Sequence, residues 1–189
     1  MFAVRIHGRG GQGVVTAAEL LSLAAFGEGL EAQAFPSFGS ERMGAPVVAF
    51  CRIDTEPIRL REPIAEPDAV VIQDPTLLHH VEVFAGLGEN GYVLINSTRS
   101  IEQLGLSELS ERHRPERLAS VPASELARTR LGRPIPNAAL LGALAAQTGI
   151  VSLQALTRAI DERFTGAAAQ GNAAAASDGF GQIAEPAHA

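Results

Sequence analysis

Hydrophobic and polar positions along this chain change period several times, and the changes divide it into alternating strands and helices. Residues 2–7 alternate, with the β-formers Phe2, Val4 and Ile6, and predict a strand. Over residues 14–26 the period lengthens: Val14, Ala17, Ala18, Leu21 and Ala25 fall at helical spacing, and Gly27 and Gly29 stop the helix. Residues 31–35 predict a second strand. Residues 47–53 and 69–72 are nearly continuous apolar runs, the pattern of strands buried on both faces. A helix is expected over 76–87, where Leu77, Val81 and Phe84 recur at helical spacing behind Asp74-Pro75-Thr76. Residues 92–95 and 118–121 predict two more strands. Further helices are expected over 125–131, over 137–147 with Asn137 as cap, and over 153–164 with Ser152 as cap.

This alternation defines an α/β chain with an open, mainly parallel sheet and helices on both faces, entered through a Rossmann-like βαβ unit. Residues 1–165 make the α/β domain. Residues 166–189 form an Ala/Gly-rich tail, expected as a helix over 167–176 with an arm beyond it. So few charges leave such a tail poorly solvated, and it needs a packing partner in this chain or another.

Composition narrows the function. Of 189 residues, 46% are hydrophobic and 19% charged, too apolar for a disordered chain. No apolar run reaches the roughly 18 residues of a membrane span. The start breaks into glycines after a short strand-like run, unlike a secretory signal. A net charge of −6 argues against nucleic acid as the main partner. One cysteine, Cys51, rules out an intrachain disulfide, and no Cys/His cluster offers zinc or iron–sulfur ligands. A metal-free, soluble, cytoplasmic chain is expected.

Two loops carry candidate chemistry. Gly8-Arg9-Gly10-Gly11-Gln12-Gly13 lies between strand and helix and satisfies G-x-G-x-x-G. Its glycines permit a sharp turn and close approach, and the helix N-terminus behind it favours an anion. A tight structural turn, an NAD site and a site for another phosphate-bearing ligand all fit the pattern. The NAD reading expects an acid at the end of the second strand, yet Glu31 stands at its start. The second loop, Phe38-Gly39-Ser40-Glu41-Arg42-Met43-Gly44-Ala45-Pro46, should emerge on the same carboxyl edge. There Arg42 can grip a phosphate or carboxylate and Glu41 can steady it or accept a hydroxyl; a solvated Glu–Arg pair fits equally. His7, Asp74 and Asn96 end strands near that edge, with capping and loop hydrogen bonding favoured for Asp74. His79 and His80 lack a third metal ligand, and no nucleophile–base constellation stands out.

Together these loops resemble the gamma subunit or domain of thiamine diphosphate-dependent 2-oxoacid:ferredoxin oxidoreductases of the pyruvate, ketoisovalerate and phenylglyoxylate type. The likeness continues through Asp74-Pro75-Thr76-Leu77-Leu78, Val93-Leu94-Ile95-Asn96 and Pro136-Asn137 with Leu141-Gly142-Ala143. The resemblance implies a subunit, inactive alone, of an enzyme that converts a 2-oxoacid and coenzyme A into acyl-CoA, carbon dioxide and a reduced acceptor. It implies coenzyme A as co-substrate, contacted by Gly8, Arg9, Gly10, Gly11, Gln12, Gly13, Ser40, Glu41 and Arg42. Thiamine diphosphate and [4Fe-4S] clusters would sit on thiamine-binding, large alpha-type and ferredoxin-like partner subunits. A stand-alone Rossmann-type nucleotide-binding protein or a regulatory binding module is the alternative.

Overall fold

The computed structural model describes residues 1–37 and 43–184. Six strands, β1 (Phe2–Arg9), β2 (Glu31–Pro36), β3 (Pro46–Asp54), β4 (Ala69–Ile72), β5 (Tyr92–Asn96) and β6 (Leu118–Val121), form one sheet in the order β2-β3-β1-β4-β5-β6. The helices are α1 (Val14–Gly27), α2 (Ser107–Arg112), α3 (Ala123–Leu131), α4 (Asn137–Thr148), α5 (Leu153–Arg163) and α6 (Gly166–Ala184).

β1, β4, β5 and β6 pair in parallel, but β3 runs antiparallel between β1 and β2. The cause is the length of the β2–β3 connection. Residues 37–45 are too few for a crossover helix, so the chain turns back beside β2.

Period-2 alternation sorts the core onto two faces. Val4, Ile6, Ala49, Cys51, Val71 and Leu94 point to one face and pack with α1, α4 and α5. α4 is buried from Asn137 through Ala145, on every side of its axis, because α6 lies over it from outside. Glycine and alanine set that spacing. A Cβ at Gly142 would stand 1.9 Å from the Ala176 carbonyl oxygen, and one at Gly179 would stand 1.9 Å from that of Ala139. Glycines 171 and 179 are contact points, and α6 runs unbroken to Ala184, beyond the helix expected over 167–176. Among the described residues the tail thus packs on its own chain.

On the opposite face, Val70, Ile72, Val93 and Ile95 pack with Leu77, Val83 and Ile101. Its cover differs from the helices expected there: a 3-10 turn at Pro75–His79, irregular segments, and α2, which buries no residue. The predicted helix over 76–87 stops at His79, since the β-branched Val81 and Val83 and the positive φ of Gly86 (75°) oppose its continuation. Buried arginines fasten this cover. Arg5 donates to the carbonyls of Ile64, Val83 and Ala85 and to His7 Nε2, and Arg52 donates to the Glu62 carbonyl. Ser152 caps α5 by accepting from the Ala155 amide at 3.0 Å. Asn137 is the first residue of α4 rather than its cap, which is Pro136.

Candidate functional site

The chain reverses its direction of winding between β1 and β4, the crevice where open α/β sheets bind ligands. At this edge Asp74 gathers side chains from the neighbouring loops. Asp74 Oδ1 accepts from the Thr76 amide (3.0 Å) and hydroxyl (2.6 Å). Its Oδ2 accepts from Gln12 Nε2 (2.9 Å) and pairs with Arg9 Nε (3.2 Å). Burial works to raise the Asp74 carboxyl, but the hydrogen bonds from Thr76 and Gln12 and the charge of Arg9 prevail and hold it below the usual carboxylate range. Arg9 also donates through Nη2 to the Thr76 hydroxyl (2.8 Å) and through Nη1 to the Gly44 carbonyl (3.1 Å). It therefore ties three loops together.

The two loops singled out in the sequence do meet at the carboxyl edge. Gly10 donates to the Ala45 carbonyl, accepts from the Gly44 amide, and bridges to Met43. Ser40, Glu41 and Arg42 lie outside the described residues. Within the glycine loop, the Arg9 amide donates to Gln12 Oε1 and the Gln12 amide to the Arg9 carbonyl. With the Gly10 amide also used, the amides of Gly11, Gly13 and the first turn of α1 have no hydrogen-bond acceptor among the described residues. Gly11 (φ 92°) and Gly13 (φ 74°) are left-handed, which glycine alone adopts without strain. A side chain at Gly13 would also meet Asn137 Nδ2 at 2.9 Å. α1 has no side-chain cap, and a cleft of about 450 Å³ opens beside Gly11, Gly13 and Thr16.

The remaining candidates are scaffolding. Asn96 donates to the Gln73 carbonyl and Ser124 hydroxyl and accepts from the Ser124 amide, joining β4, β5 and α3. His7 accepts from Arg5 on the far face, where burial and then the Arg5 charge push it down to about 4, so it is neutral. Burial pushes the Cys51 thiol up to about 12. Among the described residues no three His, Cys, Asp or Glu side chains converge as a metal site, and no helix is long and apolar enough to cross a membrane. Sequence reading missed Arg133 and Arg163, which border the cleft from segments far from the glycine loop.

A glycine loop between β1 and α1, on a six-stranded sheet of this order, defines an α/β protein with a Rossmann-like opening. Residues 3–182 match the family described as pyruvate ferredoxin/flavodoxin oxidoreductase. The common gamma subunit of the pyruvate/ketoisovalerate oxidoreductases of Thermococcus kodakarensis is 51% identical over 180 residues, covering 95% of this chain and 96% of that one. Pyruvate synthase subunit PorC of Methanothermobacter marburgensis is 48% identical over 176 residues, 93% of this chain and 94% of its own. The crystal structure of the pyruvate oxidoreductase subunit PORC of Thermotoga maritima superposes with a TM-score of 0.79 at 35% identity, covering 95% and 94% of the two chains. The chain belongs to the pyruvate ferredoxin/flavodoxin oxidoreductase family, as a gamma-type subunit of a multi-subunit 2-oxoacid oxidoreductase.

Proposed function

We propose that within such an enzyme, where a 2-oxoacid and coenzyme A yield acyl-CoA, carbon dioxide and low-potential electrons, this subunit helps to hold coenzyme A. The observation that carries the reading is the uncapped start of α1 behind Gly11 and Gly13, beside an open cleft. A helix N-terminus with unspent amides suits a diphosphate. Two features speak against the alternative of a stand-alone NAD-binding protein. β3 lies between β1 and β2, so the end of β2 stands about 10 Å from β1 rather than beside it. Arg9, Gln12, Asp74 and Thr76 are bonded to one another at the carboxyl edge, and β2 ends at Pro36 with no acid there to take a ribose.

Thiamine diphosphate and [4Fe-4S] clusters are assigned to partner subunits of thiamine-binding, large alpha and ferredoxin-like types, in the cytoplasm. Cys51, a lone buried thiol, offers no cluster ligand. Gly8, Gly10 and Gln12 shape the loop, Gly11 and Gly13 face the ligand, and Arg9 holds the loop in place. Ser40, Glu41 and Arg42 complete the contact, Arg42 as the phosphate-gripping cation. In the assembled enzyme Arg42→Ala should weaken coenzyme A binding by roughly 1.5–3 kcal/mol, the scale of a charge-assisted hydrogen bond. A steady-state coenzyme A titration is run beside single-turnover decarboxylation without coenzyme A, which should be nearly unchanged. A variant that loses decarboxylation but keeps its coenzyme A dependence would sink the assignment.

A further inference from the structure

We infer that the outer edge of β2 is an interface with a second copy of this chain, the two β2 strands pairing antiparallel about a two-fold axis at Gln33 and joining the two sheets into one. The inference goes beyond the coenzyme A reading and does not depend on it.

The backbone of β2 comes first. β2 is the end strand of the sheet and pairs only with β3. The Ser37 amide donates to the Val48 carbonyl at 2.8 Å. Alternation along an antiparallel pair then turns the backbone groups of Glu31, Gln33 and Phe35 toward β3 and those of Ala32, Ala34 and Pro36 outward. Pro36 has no N–H, and the Leu30 amide is spent on the Ala25 carbonyl at 3.1 Å. The outward donors of this stretch are therefore the Ala32 and Ala34 amides, and neither has an acceptor among the described residues. An open edge of this kind is a template for a further strand. A two-fold centred on Gln33 sets Ala32 of each copy opposite Ala34 of the other, so all four amides find carbonyls.

Side chains and helices carry the second argument. On one face the two-fold places Gln33 against its own copy. Gln33 Oε1 accepts from Arg52 Nη1 at 3.4 Å, and its Nε2 has no acceptor among the described residues, so two Gln33 amides can pair across the axis. Glu31 of each copy then stands opposite Phe35 of the other, the ring whose centroid lies 5.3 Å from the Arg52 guanidinium. Arg52 donates to the Glu62 carbonyl and has no carboxylate partner among the described residues, so the second copy brings it the opposite charge. On the other face α1 rests on β2 and β3. With strands about 4.8 Å apart, the α1 helices of the two copies come to lie about 10 Å from one another, the spacing at which helices pack. Leu23 and Phe26 of α1, 40% and 61% exposed, are the apolar side chains available to that seam.

The test uses the full chain and the assembled oxidoreductase. Antiparallel residues that face each other without hydrogen bonding bring their Cα atoms to about 4.5 Å, within disulfide reach. Gln33→Cys should therefore give a disulfide-linked pair of this subunit on mild oxidation, in both settings. Cys51 is buried and takes no part, and Glu108→Cys, exposed on α2, should give no linked pair. Ala34→Pro removes an outward donor and none of the bonds to β3, so its circular dichroism should match that of the unmodified chain. In sedimentation the unmodified chain should be dimeric at about 100 µM, and Ala34→Pro should raise the dissociation constant at least about tenfold, since two hydrogen bonds are lost per dimer. A chain that sediments as a monomer at that concentration overturns the inference, as does a folded Ala34→Pro chain that dimerises as before. If Ala34→Pro does not fold, Gln33→Cys decides alone. An assembled enzyme in which Gln33→Cys links no two copies of this subunit overturns the inference too, as does an equal yield of linked pairs from Glu108→Cys. None of these readouts involves coenzyme A, so the coenzyme A reading stands or falls separately, by the Arg42→Ala titration.

Discussion

Asp74 is the residue on which the carboxyl edge turns. Four groups converge on its two oxygens: the Thr76 amide and hydroxyl, Gln12 Nε2 and Arg9 Nε. Through Arg9 the same carboxylate reaches the Gly44 carbonyl and so the second loop. Asp74→Ala leaves a cation and an amide without their acceptor in a partly buried setting. It should lower stability at neutral pH by about 1–2 kcal/mol, read from urea unfolding. The pH dependence follows from the direction of the shift. A carboxyl held below its ordinary value of about 4 takes up a proton more readily unfolded than folded, so its contribution is complete above that value. It fades as pH falls through the lower, folded value. The gap between the native chain and Asp74→Ala should therefore be constant from pH 7 to pH 5 and close in stronger acid. A gap that stays open under those conditions would show that Asp74 acts by shape and not by charge.

At the level of elements, the α4–α6 seam makes the sharpest claim. Gly142→Ala or Gly179→Ala drives a methyl into a carbonyl oxygen of the facing helix, which a side-chain rotation cannot relieve. Each should cost about 2–4 kcal/mol in chemical denaturation. Gly181→Ala, also in α6 but with nothing within 4 Å, should instead stabilise by up to about 1 kcal/mol through helix propensity. The seam also marks what sequence patterns convey. Strands such as β4 and helices such as α1 were legible, because burial on two faces or one leaves a periodic trace. The reversed direction of β3 was not, since an apolar run reads alike in either direction; the brevity of residues 37–45 was the available signal. α6 was under-read because a glycine that admits a neighbouring backbone looks like one that ends a helix. The site shows the same division. Gly8 to Gly13 announce an anion-facing turn by local spacing, whereas the engagement of Arg9 with Asp74 spans loops 65 positions apart. Arg133 and Arg163 meet Gly13 only through the order in which β6, α3, α4 and α5 are laid down.

Across the whole molecule the distribution of charge opposes its total. All fifteen basic side chains are arginine, and the chain is nonetheless net −6. Beyond the arginine-bordered cleft beside Gly13, a second cavity of about 400 Å³ over the ends of β5 and β6 is lined by Arg99 and Arg128, with Glu125 as its acid. Five arginines and one acid, Glu125, thus line the two cavities of a chain that is net −6, and clustered positive charge of this kind draws a polyanion toward it. Such steering weakens as salt shortens the reach of the field, from about 14 Å at 50 mM to about 5 Å at 400 mM. In the assembled enzyme, KM for coenzyme A should accordingly rise several-fold over that range of potassium chloride. Pantetheine carries the same thiol arm without phosphates, and its KM should stay level. The paired comparison separates steering from a general effect of salt on assembly, which would move both substrates alike. A coenzyme A KM indifferent to salt would mean that the arginines act only at contact or not at all.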